Sequence, residues 1–154
     1  MSETMAPVDE AGIAQAVAEA HDAGEPLLVC GRGTKAAMLR PVQAARSLSA
    51  RNLRGIPLHA PKELVLSARA GTPVAEIESA LRGTGQHLIA EPPDLSALLD
   101  GDARGPQTLG GVVASNLSGP RRVAWGAMRD HVIGVRFVNG TGEVLRSGGR
   151  VLKH

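Results

Sequence analysis

Residues 108–134 read TLGGVVASNLSGPRRVAWGAMRDHVIG. Gly110 and Gly111 open the stretch, a short apolar run (Val112, Val113, Ala114) follows, and Asn116, Ser118 and Gly119 lead into Arg121 and Arg122. Glycines let a backbone approach a ligand closely and adopt conformations closed to other residues. Amides aimed at one point form a nest for anionic oxygens, to which arginines add charge and forked donors. The pattern suggests a phosphate-bearing ligand; the plainer alternative is a loop that turns a corner and is kept soluble by arginine.

Working outward, 154 residues suit one domain able to bury a sizeable core. The formal net charge is only +2, but its distribution is uneven. Six acidic residues and no basic one precede Arg32, whereas from Arg121 onward seven basic residues face only Asp130 and Glu143. Such a basic half suits nucleic acid, an anionic surface, a phosphate-bearing cofactor or an acidic partner. Trp125 and Phe137 are the only large aromatics, which argues against a base-stacking surface and hence against nucleic acid. The single cysteine, Cys30, cannot form an internal disulfide, and no Cys-x-x-Cys pair offers a zinc site. Neither a secretory signal nor an apolar run of about 20 residues is present, so a cytoplasmic chain without direct membrane insertion is expected.

Residues 9–23 carry Ile13, Val17 and Ala20 at helical spacing, with Gly24 placed to end the helix. Leu27, Leu28, Val29 and Cys30 form a strand-like run that ends on GRGTK, residues 31–35, a second phosphate-like loop. Gly31, Gly33 and Ala36 also fit the Rossmann dinucleotide fingerprint, the basis of an alternative NAD-binding reading. Pro41 would interrupt the helix that this reading needs, and arginines stand where its ribose-binding acid belongs. Strands are expected at residues 56–61 and 63–70. A helix with Thr72 as N-cap and Pro73 at its first position should bury Val74, Ile77 and Leu81 and stop at Gly83. A strand at 86–90 ending in Glu91-Pro92-Pro93-Asp94, a loop at 100–107, a short helix at 109–114 and a strand at 130–139 follow. Asn139-Gly140 reads as a tight hairpin with 143–147 returning, and another element begins at Gly148.

Taken together, the order strand, Gly-Arg-Gly-Thr-Lys, Pro-Pro-Asp, Thr-Leu-Gly-Gly-x5-Asn-x2-Gly and Arg-x2-Trp-Gly-x2-Arg-Asp-x-Val-x-Gly resembles the FAD-binding domain of the vanillyl-alcohol oxidase / p-cresol methylhydroxylase type. Within that family the resemblance is to the E subunits of bacterial glycolate oxidases. It implies an α+β fold of two lobes, about 1–60 and 61–154, with FAD between them. It also implies roles: Gly31, Arg32, Gly33, Thr34 and Lys35 on the pyrophosphate; Pro93 and Asp94 near the phosphates or ribityl chain; Gly110, Gly111, Asn116, Ser118 and Gly119 around the cofactor; charge from Arg122; and a backbone contact from Ile133. Arg129 is expected to pair with Asp130 and Arg121 to point outward.

Residues 31–37 hold no His or Cys, so FAD is expected to bind non-covalently. The flavin would carry the redox chemistry, and no catalytic acid or base or metal site is assigned; His131 is the only histidine singled out. The family continues past this point with Asn where His154 stands and then enters a cap domain, so a C-terminally truncated domain, inactive alone, with an exposed apolar face is expected. The implied function is a FAD-binding subunit that helps oxidise a small 2-hydroxy acid to the 2-oxo acid, with a second flavoprotein subunit and an iron–sulfur subunit. These partners could hold it at the inner membrane. The alternative from another class is a cofactor-free interaction module that binds the same partners.

Overall fold

The computed structural model describes residues 3–38, 40–99 and 105–149, with Glu3 described by its backbone alone. Strand β1 (Glu3–Met5) leads to helix α1 (Glu10–Asp22), then β2 (Leu27–Cys30) and β3 (Arg46–Ser49). Asp9 caps α1 by accepting from Gly12 N–H at 2.8 Å, and Gly24, at φ +65°, ends it as expected. The three strands form a parallel sheet in the order β1-β3-β2, in which β3 lies central with Leu48 and Ser49 buried. Neither β1 nor β3 stands out in the sequence. Among the described residues, those between β2 and β3 form turns and contain no helix. A Rossmann unit needs a helix there, so the Rossmann-type NAD-binding reading fails.

After β3 comes an antiparallel pair, β4 (Leu58–Ala60) and β5 (Val65–Ser67), joined through a 3-10 turn at Pro61–Glu63. These strands are shorter than expected because Leu64, at φ +55°, takes up the turn between them. Helix α2 (Val74–Arg82) buries Val74, Ile77 and Leu81 as their spacing predicts, each contributing on the order of 1.5–3 kcal/mol by leaving water. Its N-cap is Pro73 and not Thr72. Thr72 is fully buried, and its hydroxyl is used elsewhere: it accepts from Gly55 N–H at 3.0 Å and donates to Gly55 C=O at 3.1 Å.

Residues 86–90 form no strand; the segment ends in a turn closed by Glu91 N–H to Leu88 C=O. Helices α3 (Ser96–Leu99), α4 (Leu109–Ser115), α5 (Arg122–Trp125) and α6 (Met128–His131) follow. Helix α6 occupies the start of the expected 130–139 strand, and β6 (Gly134–Val138) begins only at Gly134. The hairpin to β7 (Val144–Gly148) is present, but its turn is wider than Asn139-Gly140 predicts. Asn139 Oδ1 accepts from Thr141 N–H and Glu143 N–H, and the left-handed residue is Gly142, at φ +86°. A Cβ at Gly142 would lie 2.8 Å from Ala18 Cβ, so the glycine lets the hairpin sit on α1, where Glu10 and Arg136 form an ion pair. That pair lowers the Glu10 pKa. Val135, Phe137, Val144 and Leu145 on the hairpin are exposed. Part of the expected 100–107 loop, and the expected element from Gly148 beyond residue 149, lie outside the described residues.

A core of Val74, Ala90, Val112 and Met128 links α2, the 86–90 segment, α4 and α6, with Leu88, Leu109, Val113, Leu117 and Val132 packed against it. Alongside it, residues 69–74 act as a backbone spine. One side gives Gly71 N–H to Leu53 C=O and Arg69 N–H to Gly55 C=O; the other accepts Leu109 N–H on Thr72 C=O and Gly110 N–H on Ala70 C=O. Thr72→Val keeps the shape but takes the side-chain partner from the partly buried Gly55 N–H and C=O, of which the C=O keeps its bond from Arg69 N–H. It is expected to lower unfolding stability by about 1–3 kcal/mol. Urea denaturation of the two proteins checks this.

Candidate functional site

The loop after β2 and the start of α4 meet face to face. A Cβ built on Gly31 would lie 2.1 Å from Thr108 Oγ1, so only glycine permits this approach. Ser49 on β3 fixes the loop from below by donating its hydroxyl to Gly31 C=O. Thr34 is buried within it. Turn bonds from Ala36 N–H to Gly33 C=O and from Met38 N–H to Lys35 C=O coil the segment. Among the described residues, the amides of Arg32, Thr34 and Lys35 make no bond to another backbone carbonyl.

The first turn of α4 shows a similar pattern. Leu109, Gly110 and Val112 give their N–H groups to Thr72, Ala70 and Thr108 carbonyls. Only the Gly111 amide lacks an acceptor among the described residues. A Cβ at Gly111 would sit 3.5 Å from Thr108 Oγ1 and 3.8 Å from Lys35 Nζ, in ordinary contact with both. The small space beside Gly111 is thus bordered by an amide, a hydroxyl and an ammonium, a donor set suited to an anionic oxygen. Gly110 serves a different purpose: its Cβ would meet Ala70 Cβ at 2.8 Å, so this glycine allows α4 to pack on the spine.

Lys35 reaches across the junction and donates to Gln107 Oε1 at 3.0 Å. Burial lowers its pKa, with partial compensation from the charge of Asp94. Asp94 also accepts from Ser96 N–H at 3.0 Å and so closes the turn after Pro93. Arg32 lies beside Gly105, and its Nε is a buried donor with no partner among the described residues. The structure therefore gathers Arg32, Thr34, Lys35, Asp94 and Gly111 around one polar junction, with Gly31 and Gly110 setting how closely its walls approach.

Asn116, Ser118 and Gly119 form a neighbouring cluster held by hydrogen bonds within the protein. Asn116, at φ +49°, ends α4 and accepts from Arg129 N–H at 2.9 Å. Ser118 Oγ accepts from Met128 N–H at 2.8 Å and donates to Asn116 C=O. These bonds join α4 to α6. Gly119 N–H reaches Ala90 C=O, and a Cβ on Gly119 would strike Glu91 C=O at 2.7 Å. Glu91 is held at φ +46° just before Pro92 and Pro93, and its carboxylate is gripped by both Arg121 Nε and Nη2. Arg121 thus does not simply point outward: it forks onto Glu91 while stacking 4.0 Å above the Trp125 ring. Neither partner was legible in the sequence.

Arg122 is exposed on α5 and makes no ion pair among the described residues. Arg129 lies 3.8 Å from Asp130, the expected pairing, although Asp130 is more closely engaged as acceptor of Ala127 N–H at 2.7 Å. The Ile133 carbonyl accepts from Gly149 N–H. His131 Nε2 is buried without a partner, and no group of metal-ligating side chains occurs among the described residues. No helix among them is long and apolar enough to cross a membrane. The sequence assigns no role to Gln107, placed in the 100–107 loop, or to Thr108 beyond opening the Thr-Leu-Gly-Gly motif; the polar Gln-Thr pair ahead of the double glycine is their signal.

Comparison with known proteins identifies the family and the fold. The family model described as FAD binding domain matches residues 2–148. The chain is 43% identical over 129 residues to glycolate oxidase subunit GlcE of Escherichia coli (strain K12), covering 84% of this chain and 34% of that protein. Its fold is similar to alkyldihydroxyacetonephosphate synthase, with a TM-score of 0.69 and 21% identity over 97% of this chain and 27% of that one. It is also similar to 6-hydroxy-D-nicotine oxidase from Arthrobacter nicotinovorans, with a TM-score of 0.71 and 15% identity over 96% of this chain and 31% of that one. The chain thus spans about a third of the length of these proteins. A buried arginine donor without a partner, unspent amides in both loops and the space at Gly111 fit a dinucleotide's diphosphate. The chain belongs to the FAD-binding domain family and has the α+β fold of the vanillyl-alcohol oxidase / p-cresol methylhydroxylase type.

Proposed function

We propose that this chain forms the FAD-binding part of a subunit in a glycolate oxidase-like complex that oxidises a small 2-hydroxy acid to its 2-oxo acid. The likeness to GlcE carries the reading. Its expected partners are a second flavoprotein subunit and an iron–sulfur subunit, which would also account for any attachment to the inner membrane. FAD, when bound, supplies the two-electron acceptor for such an oxidation.

In this reading the cofactor lies between a first lobe of about residues 1–60 and a second from about residue 61, from which the β6–β7 hairpin reaches back to α1. The amides of residues 31–35 and of Gly111 bind the diphosphate, and the ammonium of Lys35 and the guanidinium of Arg32 neutralise it. Asp94 orients Lys35, while Pro93 stiffens the wall beside the ribityl chain. Asn116, Ser118 and Gly119 shape the next wall, Arg122 adds charge at its rim, and the backbone at Ile133 closes the far side. With no His or Cys in residues 31–37, attachment is non-covalent.

Two substitutions separate binding from folding. Gly111→Ala places a methyl group where an anionic oxygen would sit, yet meets neighbours only at ordinary distances. It should weaken FAD binding by at least about tenfold while leaving thermal stability unchanged. Gly110→Ala, which collides with Ala70, should lower thermal stability; fluorescence titration and calorimetry read the two effects separately.

Lys35 gives a pH signature. Its pKa in the free protein lies below the ordinary 10.5, and a bound diphosphate would raise it. FAD binding should therefore take up protons, and affinity should fall as pH rises through the free-protein pKa of Lys35. Lys35→Met should weaken binding and remove that dependence; a pH-independent wild type would contradict the assignment. Function is tested by assembling the complex with this chain and following dye reduction by glycolate. The expected result is glycolate-dependent reduction that is lost with Gly111→Ala, whereas a loaded complex inert to small 2-hydroxy acids would overturn the substrate class.

A further inference from the structure

We infer that Gln107 is the positioning residue of the diphosphate pocket, holding the Lys35 ammonium against the cofactor from a side chain that itself stays out of ligand contact. The inference rests on the reading that this pocket takes the FAD diphosphate. Gln107 is buried, with 6% of its surface exposed, at the one point where three cofactor segments converge. Its Oε1 accepts from Lys35 Nζ at 3.0 Å, its Nε2 donates to Pro92 C=O at 3.3 Å, and its backbone C=O accepts from Val74 N–H at 3.0 Å. It therefore ties the loop after β2 to the Pro92-Pro93-Asp94 turn and anchors both at the start of α2.

The amide side chain suits this task for a chemical reason. The amide end of glutamine carries an acceptor and a donor side by side, so it satisfies the ammonium and the Pro92 carbonyl together, and only one orientation of the amide does so. An ammonium has three donors, and among the described residues Gln107 takes one of them, which leaves two for anionic oxygens. A carboxylate at 107 would hold Lys35 equally well but cancel the charge offered to the diphosphate. An apolar residue would leave a partly buried ammonium without its acceptor. Asp94 is the only carboxylate whose charge acts on Lys35 among the described residues, so Gln107 orients without neutralising.

The test compares binding of FAD and of riboflavin, which lacks the diphosphate, to the wild-type chain and to Lys35→Met, Gln107→Leu and Gln107→Glu, across neutral to alkaline pH. Gln107→Leu is expected to reduce FAD affinity by roughly tenfold, as loss of a hydrogen bond to a charged group does, with riboflavin affinity unchanged. Its FAD affinity should also begin to fall at lower pH than in the wild type, because the ammonium has lost an acceptor. Gln107→Glu should weaken FAD binding at neutral pH and move that fall to higher pH, because a carboxylate stabilises the ammonium. A Gln107→Leu protein that loses FAD and riboflavin binding equally, or only melts earlier with an unshifted pH profile, would show a merely structural role and overturn the inference. If Lys35→Met leaves the preference for FAD over riboflavin intact, the diphosphate reading itself fails and the inference falls with it. If Lys35→Met abolishes that preference and Gln107→Leu does not, the inference alone fails.

Discussion

The contact between Gly31 and Thr108 is the constraint on which the site depends. A side chain at Gly31 would overlap the Thr108 hydroxyl, so the loop after β2 and the entry to α4 can share one junction only because residue 31 has no Cβ. Each wall is held from behind. Ser49 fastens the loop to the parallel sheet, while residues 107–110 are bonded to the spine at 70–74, which is bonded in turn to 53–55. Thr72 sits at the crossing, with its backbone C=O on Leu109 and its hydroxyl on Gly55. The junction is thus an outcome of backbone register, and side chains complete it.

Electrostatics follow from that geometry. Bringing two loops together buries Lys35 and withholds water from it, which weakens its hold on the proton. The neighbouring charge of Asp94 opposes this without cancelling it. A partly desolvated cation is costly to bury unless an opposite charge pairs with it. The second cluster is rigid for a different reason: Asn116 and Ser118 bind the α6 amides, and Arg121 holds Glu91 in a left-handed conformation that non-glycine residues seldom adopt. The turn that carries Pro93 and Asp94 is therefore aimed by a surface ion pair stacked on Trp125.

Local signals in the sequence were read correctly where the local energy also decides the structure. Asp9 and Gly24 bound α1, the i, i+3, i+7 spacing of Val74, Ile77 and Leu81 gave α2 its buried face, and the double glycine marked α4. Failures occurred where tertiary bonds outweighed local preference. Thr72 would cap a helix in isolation but is claimed by Gly55, so the cap shifts to Pro73. The 86–90 run is apolar enough for a strand, yet Leu88 and Ala90 pack in the core beside α4 and no strand pairs with them. Strand β3 was missed because Arg46 and Ser47 look like loop; its pairing on both sides, with β1 and β2, makes it a strand. The glycines of this junction were legible by type, but that Gly31 permits the approach of Thr108 and Gly110 the packing of α4 on Ala70 required the structure.

A crystal structure of the chain grown with FAD tests the central claim most directly. The account predicts diphosphate oxygens hydrogen-bonded to the Gly111 amide and to amides of the loop at residues 31–35, with Lys35 Nζ beside them and Gln107 still bonded to it. A diphosphate bound elsewhere on the protein, with both loops unchanged and unliganded, would contradict it.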